Sequence, residues 1–314
     1  MSIFNDWIFE HPNYRSAHTH LCNAIDLLIE KKNPFLFTLL GPSGSGKTEL
    51  LKDVMARYAQ ANSRGRSTSL MLSMPVAPAG DALPRKIIET LVGPLSIRVT
   101  GVEIRAMAAR MLVQAEVRIL VFDELNHLIE MRKGERAQTK ENRRTADWFK
   151  ELIDQHNISI VLAGLPHTVR FFADNEQFKR RAMRPVELLP YAWSIDCDRE
   201  AFAQAVHAFV LHLQSEGWTI DVEPDLFVRA CYLCSRGSVG GLHKLFSSVE
   251  RSCRDRRELS ALNFANAYET HFGMPGNFNP FESSDISNSQ LNQTYLDGLI
   301  KNTLITSSRG ARTS

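Results

Sequence analysis

Short apolar runs alternate with longer amphipathic stretches between residues 34 and 190. Each run is bounded by turn or helix signals, which is typical of buried strands in a parallel sheet. Strands are therefore predicted at residues 35–40, 68–73, 117–122, 158–163 and 186–189. Because the stretches between them have helical periodicity, the pattern predicts a three-layer α/β fold built on a parallel five-stranded sheet.

The pattern changes after residue 190, where only helical periodicity remains up to residue 275. Caps and helix breakers punctuate this region. They predict four helices, from Asp198 to about Ser215, from Pro224 to near Ser235, from Ser238 or Gly240 to about Arg254, and from Ser260 to just before Gly273. Four helices in this length predict a small bundle that packs on the α/β domain.

These changes divide the chain into four parts. Residues 1–33 form an N-terminal segment and a first helix, 34–190 the α/β domain, 191–275 the helical region, and 276–314 a tail. The tail contains seven Ser, five Asn and four Thr and is predicted to be mobile. Its spaced apolar residues fit either a helical turn that docks on a partner or a frayed end. Near the N-terminus, Trp7, Ile8 and Phe9 fit either packing against an adenine or binding to a partner.

A glycine-rich motif follows the first predicted strand. It consists of Gly41, Pro42, Ser43, Gly44, Ser45, Gly46, Lys47 and Thr48, and it matches G-x-x-x-x-G-K-[ST]. The glycines allow backbone N–H groups to face phosphate oxygens, and the following helix adds partial positive charge. Lys47 is expected to reach the β- and γ-phosphates of ATP, and the Thr48 hydroxyl to ligate Mg²⁺. The alternative is a chance Gly/Ser-rich turn.

Two carboxylates follow the third predicted strand. Asp123 is expected to hold Mg²⁺, directly or through water, and Glu124 to orient and polarise the attacking water. An ordinary helix N-terminus also favours acids and is the alternative. Together with the glycine-rich motif, these carboxylates predict an ATP-hydrolysing site.

Several segments resemble those of AAA+ ATPases and, more narrowly, those of the TnsC/TniB family of transposition regulators. They are HPNYRSAH at 11–18, GPSGSGKT at 41–48, FDELNHL at 122–128, IVLAGLP at 160–166 and EQFKRR at 176–181, within a match over roughly residues 11–250. The resemblance implies a P-loop NTPase of the AAA+ type with residues 191–275 as a helical lid. It also implies ATP-dependent assembly, as a ring or helical filament, on double-stranded DNA, with contacts to a target-selector protein and a transposase.

The resemblance further implies an arginine that reaches the γ-phosphate bound by a neighbouring subunit. Arg180 and Arg181 precede the fifth predicted strand, where the family places such residues, and Arg181 is preferred. The active form would then be a homo-oligomer. The alternative is a solvated basic face formed with Lys179 and Arg184.

Two positions depart from the usual AAA+ pattern. Residues 163–166 offer no polar side chain after the fourth strand until His167 and Thr168, where many AAA+ proteins have a polar sensor residue. Gly240 stands where related ATPases often carry an arginine in the lid. Both departures predict slow hydrolysis, which would suit a regulator.

Basic residues cluster after the two carboxylates Asp123 and Glu124. Arg132, Lys133, Arg136, Lys140, Arg143 and Arg144 are opposed only by Glu135 and Glu141. Such a cluster gains affinity for DNA by releasing counterions from phosphates. A charged helix surface is the alternative. Lys86, Arg98 and Arg105 are further candidates.

Composition limits the remaining classes of function. The chain has 37 basic and 35 acidic residues, so its net charge of +2 neither requires nor excludes nucleic acid. No long apolar window or signal core is found, which predicts a cytoplasmic protein without a membrane partner. The family resemblance implies that the cytoplasm is bacterial. Cys231 and Cys234 are predicted to be buried thiols, because zinc needs four ligands and no second pair has suitable spacing.

The function predicted from the sequence and the resemblance is a transposition regulator whose assembly on DNA is dismantled by ATP hydrolysis. The alternatives are another AAA+ DNA machine, such as a replication initiator or helicase loader, and a nucleotide-switched protein scaffold that hydrolyses nothing.

Overall fold

The computed structural model describes residues 2–4, 7–59, 67–75, 81–94, 100–129, 135–169, 171, 181–254, 257–272 and 278–304; the side chains of 129, 135–141, 169 and 299–304 lie outside this description. Contacts divide the chain into two compact units. The α/β unit comprises Ser16–Gly41 and Lys47–Leu188, and the helical unit comprises Met1–Arg15, Pro42–Gly46 and Leu189–Ser314.

The α/β unit alternates strands and helices as the apolar pattern predicts. Its elements are α1 (Pro12–Lys31, which begins in the helical unit), β1 (Leu36–Leu40), α2 (Lys47–Arg57), β2 (Ser69–Ser73), α3 (Ala82–Val92), α4 (Val102–Gln114), β3 (Ile119–Asp123), α5 (Asn126–Ile129), α6 (Glu135–His156), β4 (Ser159–Gly164), a 3₁₀ turn (Pro166–Val169) and β5 (Val186–Glu187). Strand bounds differ from the predicted ones by at most two residues.

The strands form one parallel sheet in the order β2-β3-β4-β1-β5, which confirms the predicted fold class. Strands β1, β3 and β4 are buried along their whole length, as expected for central strands of a parallel sheet. Strand β2 lies at an edge, and only Leu72 in it is buried. Since β4 lies between β1 and β3, the ends of β1 and β3 are held two strand spacings apart.

Aromatic packing fixes the central strands of this unit against its helices. Phe122 of β3 stacks on Phe149 of α6 with ring centroids 5.3 Å apart, and neither side chain is exposed. Ile87 and Leu112 are equally buried on α3 and α4. Asp123, the last residue of β3, directly follows Phe122. The packing of Phe122 therefore fixes the backbone that carries this carboxylate.

The helical unit is organised around α7 (Asp196–Ser215), α8 (Pro224–Ser235), α9 (Val239–Ser252), α10 (Ala261–His271) and α11 (Asn288–Leu304). The expectation of helices alone was wrong, because β6 (Thr219–Asp221) and β7 (Glu258–Ser260) pair in parallel. Pro224, Ser238 and Ser260 stand at helix starts as predicted. Asp198 does not cap α7, because its carboxylate accepts the Ala192 N–H at 2.9 Å.

The described part of the predicted tail packs on the helical unit. Leu291 of α11 has no exposed surface. The indole N–H of Trp193 donates to Asn288 Oδ1 at 3.1 Å, and Arg229 donates to the Ile286 carbonyl at 3.1 Å. Apolar anchors and side-chain hydrogen bonds therefore order this Ser- and Asn-rich segment. No helix among the described residues is long and apolar enough to cross a membrane.

The N-terminal segment also packs on the helical unit. Phe4 is fully buried, and its carbonyl lies 2.9 Å from His243 Nε2. Trp7 stacks on His212 with ring centroids 4.6 Å apart and meets the edge of Phe209 at 4.7 Å. The Trp7 ring thereby attaches the N-terminal segment to α7.

His11 gives this attachment a pH dependence. Its Nδ1 accepts the Tyr191 hydroxyl at 2.8 Å, and that hydroxyl accepts the Asn13 N–H. Burial, with a smaller contribution from the Arg15 charge, lowers the pKa of His11 from 6.5 to about 4. The unfolded chain therefore binds more protons than the folded chain between these values. The stabilisation is fully present above pH 6.5 and is lost as the pH falls towards 4.

As the pH is lowered from 6.5 to 4, the free energy of unfolding is expected to decrease by about 1 kcal/mol per pH unit because of His11. Denaturant unfolding at several pH values measures this free energy. Its slope against pH should be smaller in a His11→Asn variant and unchanged in His20→Asn, since His20 is an exposed histidine on α1. Equal slopes in the wild type and His11→Asn would contradict the assignment.

Candidate nucleotide-binding site

The glycine-rich motif lies between β1 and α2. Residues 41–46 form the loop, and α2 begins at Lys47. Gly44 and Gly46 have φ values of +75° and +89°, a region in which a side chain would strain the backbone. The loop thus has the strand–loop–helix context and the glycine conformations that a phosphate-binding loop requires.

Lys47 is held at the start of α2. Its Nζ donates to the Gly41 carbonyl at 2.8 Å. Burial lowers the pKa of Lys47 from 10.5 to about 8, and the Asp123 carboxylate partly opposes this shift. The ammonium group is therefore still mainly charged at pH 7. It is a partly desolvated cation at a loop suited to anions.

Thr48 and Asp123 meet in the α/β unit. The Thr48 hydroxyl donates to Asp123 Oδ2 at 2.5 Å, and the Glu124 N–H donates to Asp123 Oδ1 at 2.8 Å. Asp123 is buried, with 5% of its surface exposed. A hydroxyl and a carboxylate are the hard oxygen ligands that Mg²⁺ prefers. These two residues, 75 positions apart in the chain, therefore fit a magnesium ion.

The end of β4 ties the two motifs to the same edge of the sheet. The Gly41 N–H donates to the Gly164 carbonyl at 3.1 Å, and the Leu125 N–H donates to the Ala163 carbonyl at 2.8 Å. Gly41 opens the glycine-rich loop, and Leu125 follows Glu124. Gly41 and the backbone that follows the two carboxylates are therefore both fixed to the end of β4.

Glu124 occupies an unusual backbone conformation after β3. Its φ is +59°, and 55% of its side chain is exposed. One carboxylate oxygen lies 3.4 Å from His127 Nε2. A non-glycine residue rarely adopts this conformation unless its surroundings impose it, and such residues cluster at functional sites. The side chain is accessible to water, as a group that orients a water molecule must be.

The geometry after β4 agrees with the missing polar sensor. A β-carbon on Gly164 would lie 2.9 Å from Leu125 Cβ and 3.0 Å from Thr168 Oγ1. Thr168 is buried, and its hydroxyl donates to the Leu165 carbonyl at 2.6 Å. Position 164 therefore has no room for a side chain. The Thr168 hydroxyl already donates its hydrogen bond at the start of the 3₁₀ turn that contains it.

Arg181 makes a two-point ion pair within the chain. Its Nε and Nη2 each donate to one Asp154 oxygen at 2.7 Å, with about a third of each side chain exposed. The two-point geometry favours the ion pair, but water screens it because about a third of each side chain is exposed. Arg180 lies outside the described residues. Sequence reasoning missed Asp154, which carries no local motif.

The candidate DNA-binding residues are only partly described. Arg132 and Lys133 lie outside the described residues, and the side chains of Arg136 and Lys140 lie outside the description of α6. Arg143 and Arg144 are exposed on α6. Arg105 of α4 donates to the Arg144 carbonyl at 3.4 Å, which adds a third guanidinium near these two.

The loop residues Pro42–Gly46 group with the helical unit. The Ser238 hydroxyl donates to the Gly44 carbonyl at 3.2 Å. A β-carbon on Gly240 would lie 1.7 Å from that same oxygen. The position where the resemblance places an arginine in other ATPases therefore has no room for any side chain. The sequence identified Ser238 only as a helix cap.

Cys231 and Cys234 are buried in α8, and burial raises the pKa of both thiols. Among the described residues, no group of three or more His, Cys, Asp or Glu side chains is placed to hold a metal ion. The prediction that Cys231 and Cys234 are buried thiols is confirmed.

The sheet order, the glycine-rich loop after β1, the acids after β3 and the C-terminal helices define the AAA+ fold of P-loop NTPases. Solved structures share it. The Aeropyrum pernix ORC1 protein in complex with DNA is 18% identical, with a TM-score of 0.57, over 84% of this chain and 67% of that one. The Aeropyrum pernix ORC2 protein in ADPNP-ADP complexes is 13% identical, with a TM-score of 0.58, over 92% and 73%. Drosophila ORC bound to DNA is 13% identical, with a TM-score of 0.56, over 86% and 64%.

Within this class, the chain belongs to the family of bacterial TniB proteins, whose family model matches residues 2–192. The resemblance read from the motifs is thereby confirmed. No curated protein sequence matches the chain.

Proposed function

We propose that this chain is an ATP-dependent, DNA-binding AAA+ regulator of transposition. It assembles on double-stranded DNA as a ring or helical filament and links a target-selector protein to a transposase. ATP hydrolysis then dismantles the assembly. The observation that carries the ATPase part is the contact between Thr48 and Asp123, which joins the two predicted nucleotide motifs. Membership of the TniB family supports the part played in transposition.

In this proposal, the backbone of residues 41–48 and the Lys47 ammonium bind the phosphates of ATP. Thr48 and Asp123 would hold Mg²⁺, which supplies charge stabilisation at the transferred phosphate. Glu124 orients the attacking water and accepts its proton. Its exposed carboxylate, next in sequence to the buried Asp123, supports this division of roles.

Hydrolysis is proposed to be slow. Position 164 cannot carry a polar sensor, and position 240 cannot carry an arginine, because neighbouring atoms occupy the space of both side chains. Two groups that would stabilise developing charge in related enzymes are therefore absent from these positions. A long-lived ATP state gives an assembly time to act before it dissociates.

Arg181, with Arg180 as the alternative, is proposed to contact the γ-phosphate bound by a neighbouring copy of the chain. Within one chain, Asp154 holds the Arg181 guanidinium through both carboxylate oxygens. A phosphate would compete for the same donors, since guanidinium binds carboxylate and phosphate with similar geometry. Assembly would then exchange an internal ion pair for one between subunits.

DNA is proposed to bind along the basic cluster of Arg132, Lys133, Arg136, Lys140, Arg143 and Arg144. Support comes from the exposure of Arg143 and Arg144 and from the nearby Arg105. Contacts of this kind bind phosphates and do not read sequence.

Electron microscopy of the chain with duplex DNA tests the proposal. Rings or filaments on DNA are expected with ATP and Mg²⁺, and not with ADP or without nucleotide. Single particles off the DNA in all three conditions would contradict it and would favour a nucleotide-switched protein scaffold.

Titrations of duplex DNA at several salt concentrations, followed by fluorescence anisotropy, test the role of Arg143 and Arg144. Changing both to serine should reduce the slope of log affinity against log salt by about 2, because each phosphate contact contributes about 0.9. Arg251→Ser is the matched control, since Arg251 is an exposed arginine of α9. An unchanged slope in the double variant would remove these two residues from the DNA surface.

A second candidate is another AAA+ DNA machine, such as a replication initiator or helicase loader. The fold shared with ORC proteins solved on DNA favours it. Helicase loading by the purified chain, without any effect on transposase activity, would support this alternative over transposition.

A further inference from the structure

The start of α9 touches the glycine-rich loop through two residues. Ser238 caps the helix by accepting the Gly241 N–H at 3.4 Å, and its hydroxyl proton is donated to the Gly44 carbonyl at 3.2 Å. Gly240 lies against the same carbonyl. All of these residues belong to the helical unit. One helix start thus makes both a hydrogen bond and a backbone contact to the loop.

The contact at Gly240 tolerates no side chain. An added β-carbon would lie 1.7 Å from the Gly44 oxygen and 2.7 Å from its carbonyl carbon, and these are backbone atoms that no side-chain rotation can remove. A β-carbon on Gly44 itself would meet no other described atom within 4 Å. The close approach therefore depends on glycine at position 240.

Holding the Gly44 carbonyl also orients the next amide. The peptide unit between Gly44 and Ser45 is planar, and in a trans unit its C=O and N–H point in opposite directions. With the carbonyl held by Ser238, the Ser45 N–H points back across the loop, where it donates a hydrogen bond to the Pro42 carbonyl at 3.3 Å. This hydrogen bond is long, and a phosphate that enters the loop would replace the Pro42 carbonyl as its acceptor, since inward-pointing amides form anion-binding concavities.

We propose that Ser238 and Gly240 are positioning residues for the phosphate-binding loop. They hold the Gly44 carbonyl outward, so that the Ser45 amide is directed into the loop before nucleotide arrives. The start of α9 thereby sets the affinity for nucleoside phosphates without touching them. This inference rests on the proposed function, in which the loop binds ATP.

The coupling is reciprocal, since two linked binding events strengthen each other equally. Phosphates that bind the inward-facing amide favour the loop conformation that Ser238 holds. Bound nucleotide is therefore expected to protect the first amides of α9 from hydrogen exchange. This protection is a readout that does not depend on hydrolysis.

Calorimetric titration with ADP and with ATP tests the inference. Ser238→Gly removes the donor but leaves an acceptable cap residue, so affinity should fall about three- to tenfold while the unfolding temperature stays nearly constant. Ser238→Thr keeps both the cap and the donor and should restore affinity. Gly240→Ala should weaken binding about tenfold or more, although alanine favours the helix over glycine.

Gly298→Ala is the matched control, since its β-carbon would make only ordinary contacts, at 3.8 Å or more, with Arg236. Wild-type affinity in both Ser238→Gly and Gly240→Ala, with affinity lost in Lys47→Ala, would overturn the inference and leave the proposed function intact. A wild-type chain that binds neither nucleotide would overturn both.

Discussion

Replacing Glu124 by glutamine is expected to lower ATP turnover by about 10²–10⁴-fold without loss of nucleotide binding. An amide cannot accept the proton of the attacking water. The change keeps the size of the side chain and leaves the hydrogen bond from the Glu124 N–H to Asp123 in place. Single-turnover phosphate release measures the chemical step. Assemblies on DNA should persist for correspondingly longer.

The chain provides a matched control at the other end of the same strand. Glu116 is also an exposed glutamate with positive φ, at +56°, and it precedes β3 rather than following it. Glu116→Gln should therefore turn over ATP at the wild-type rate. If assemblies of Glu124→Gln disappeared as quickly as those of the wild type, hydrolysis would not time disassembly.

The α/β unit was predictable because its signals are local and agree with one another. Each central strand is buried throughout and mainly apolar, since helices cover the sheet, and each functional motif lies at the end of a strand. Parallel strands bring their carboxyl ends to one edge, so Thr48 and Asp123 could be expected to meet. The type of each element, the parallel sheet and the contact between Thr48 and Asp123 could all be predicted from the spacing of apolar runs and motifs along the sequence.

Other contacts had no local signal. Ser238 lies 194 positions from Gly44, and a serine before a helix looks like a cap whether or not it also binds a loop. Strands β6 and β7 have three residues each, too few to show a period. The segment around Leu291 looked like a tail by composition, but buried Phe281, Ile286 and Leu291, together with a few hydrogen bonds, hold it.

Replacing Lys47 by alanine is expected to reduce the affinity for ATP by about 10²-fold and to prevent assembly on DNA. The ammonium group is partly desolvated beside the Gly41 carbonyl, where a charge-assisted hydrogen bond to phosphate is stronger than one in water. Lys52→Ala is the control, because Lys52 lies on the same helix but is 59% exposed and pairs with Glu49. Titration with a non-hydrolysable ATP analogue measures the loss.

The pH dependence of binding identifies the group responsible. The pKa of Lys47 in the free protein is about 8, and a bound phosphate stabilises the charged form. Affinity should therefore be constant with respect to this group below pH 8 and fall as the pH rises above it, in the wild type and in Lys52→Ala. The fall should be absent in Lys47→Ala. If that variant kept both the affinity and its decline above pH 8, a different cation would bind the phosphates, and the loop would bind nucleotide through its backbone amides without Lys47.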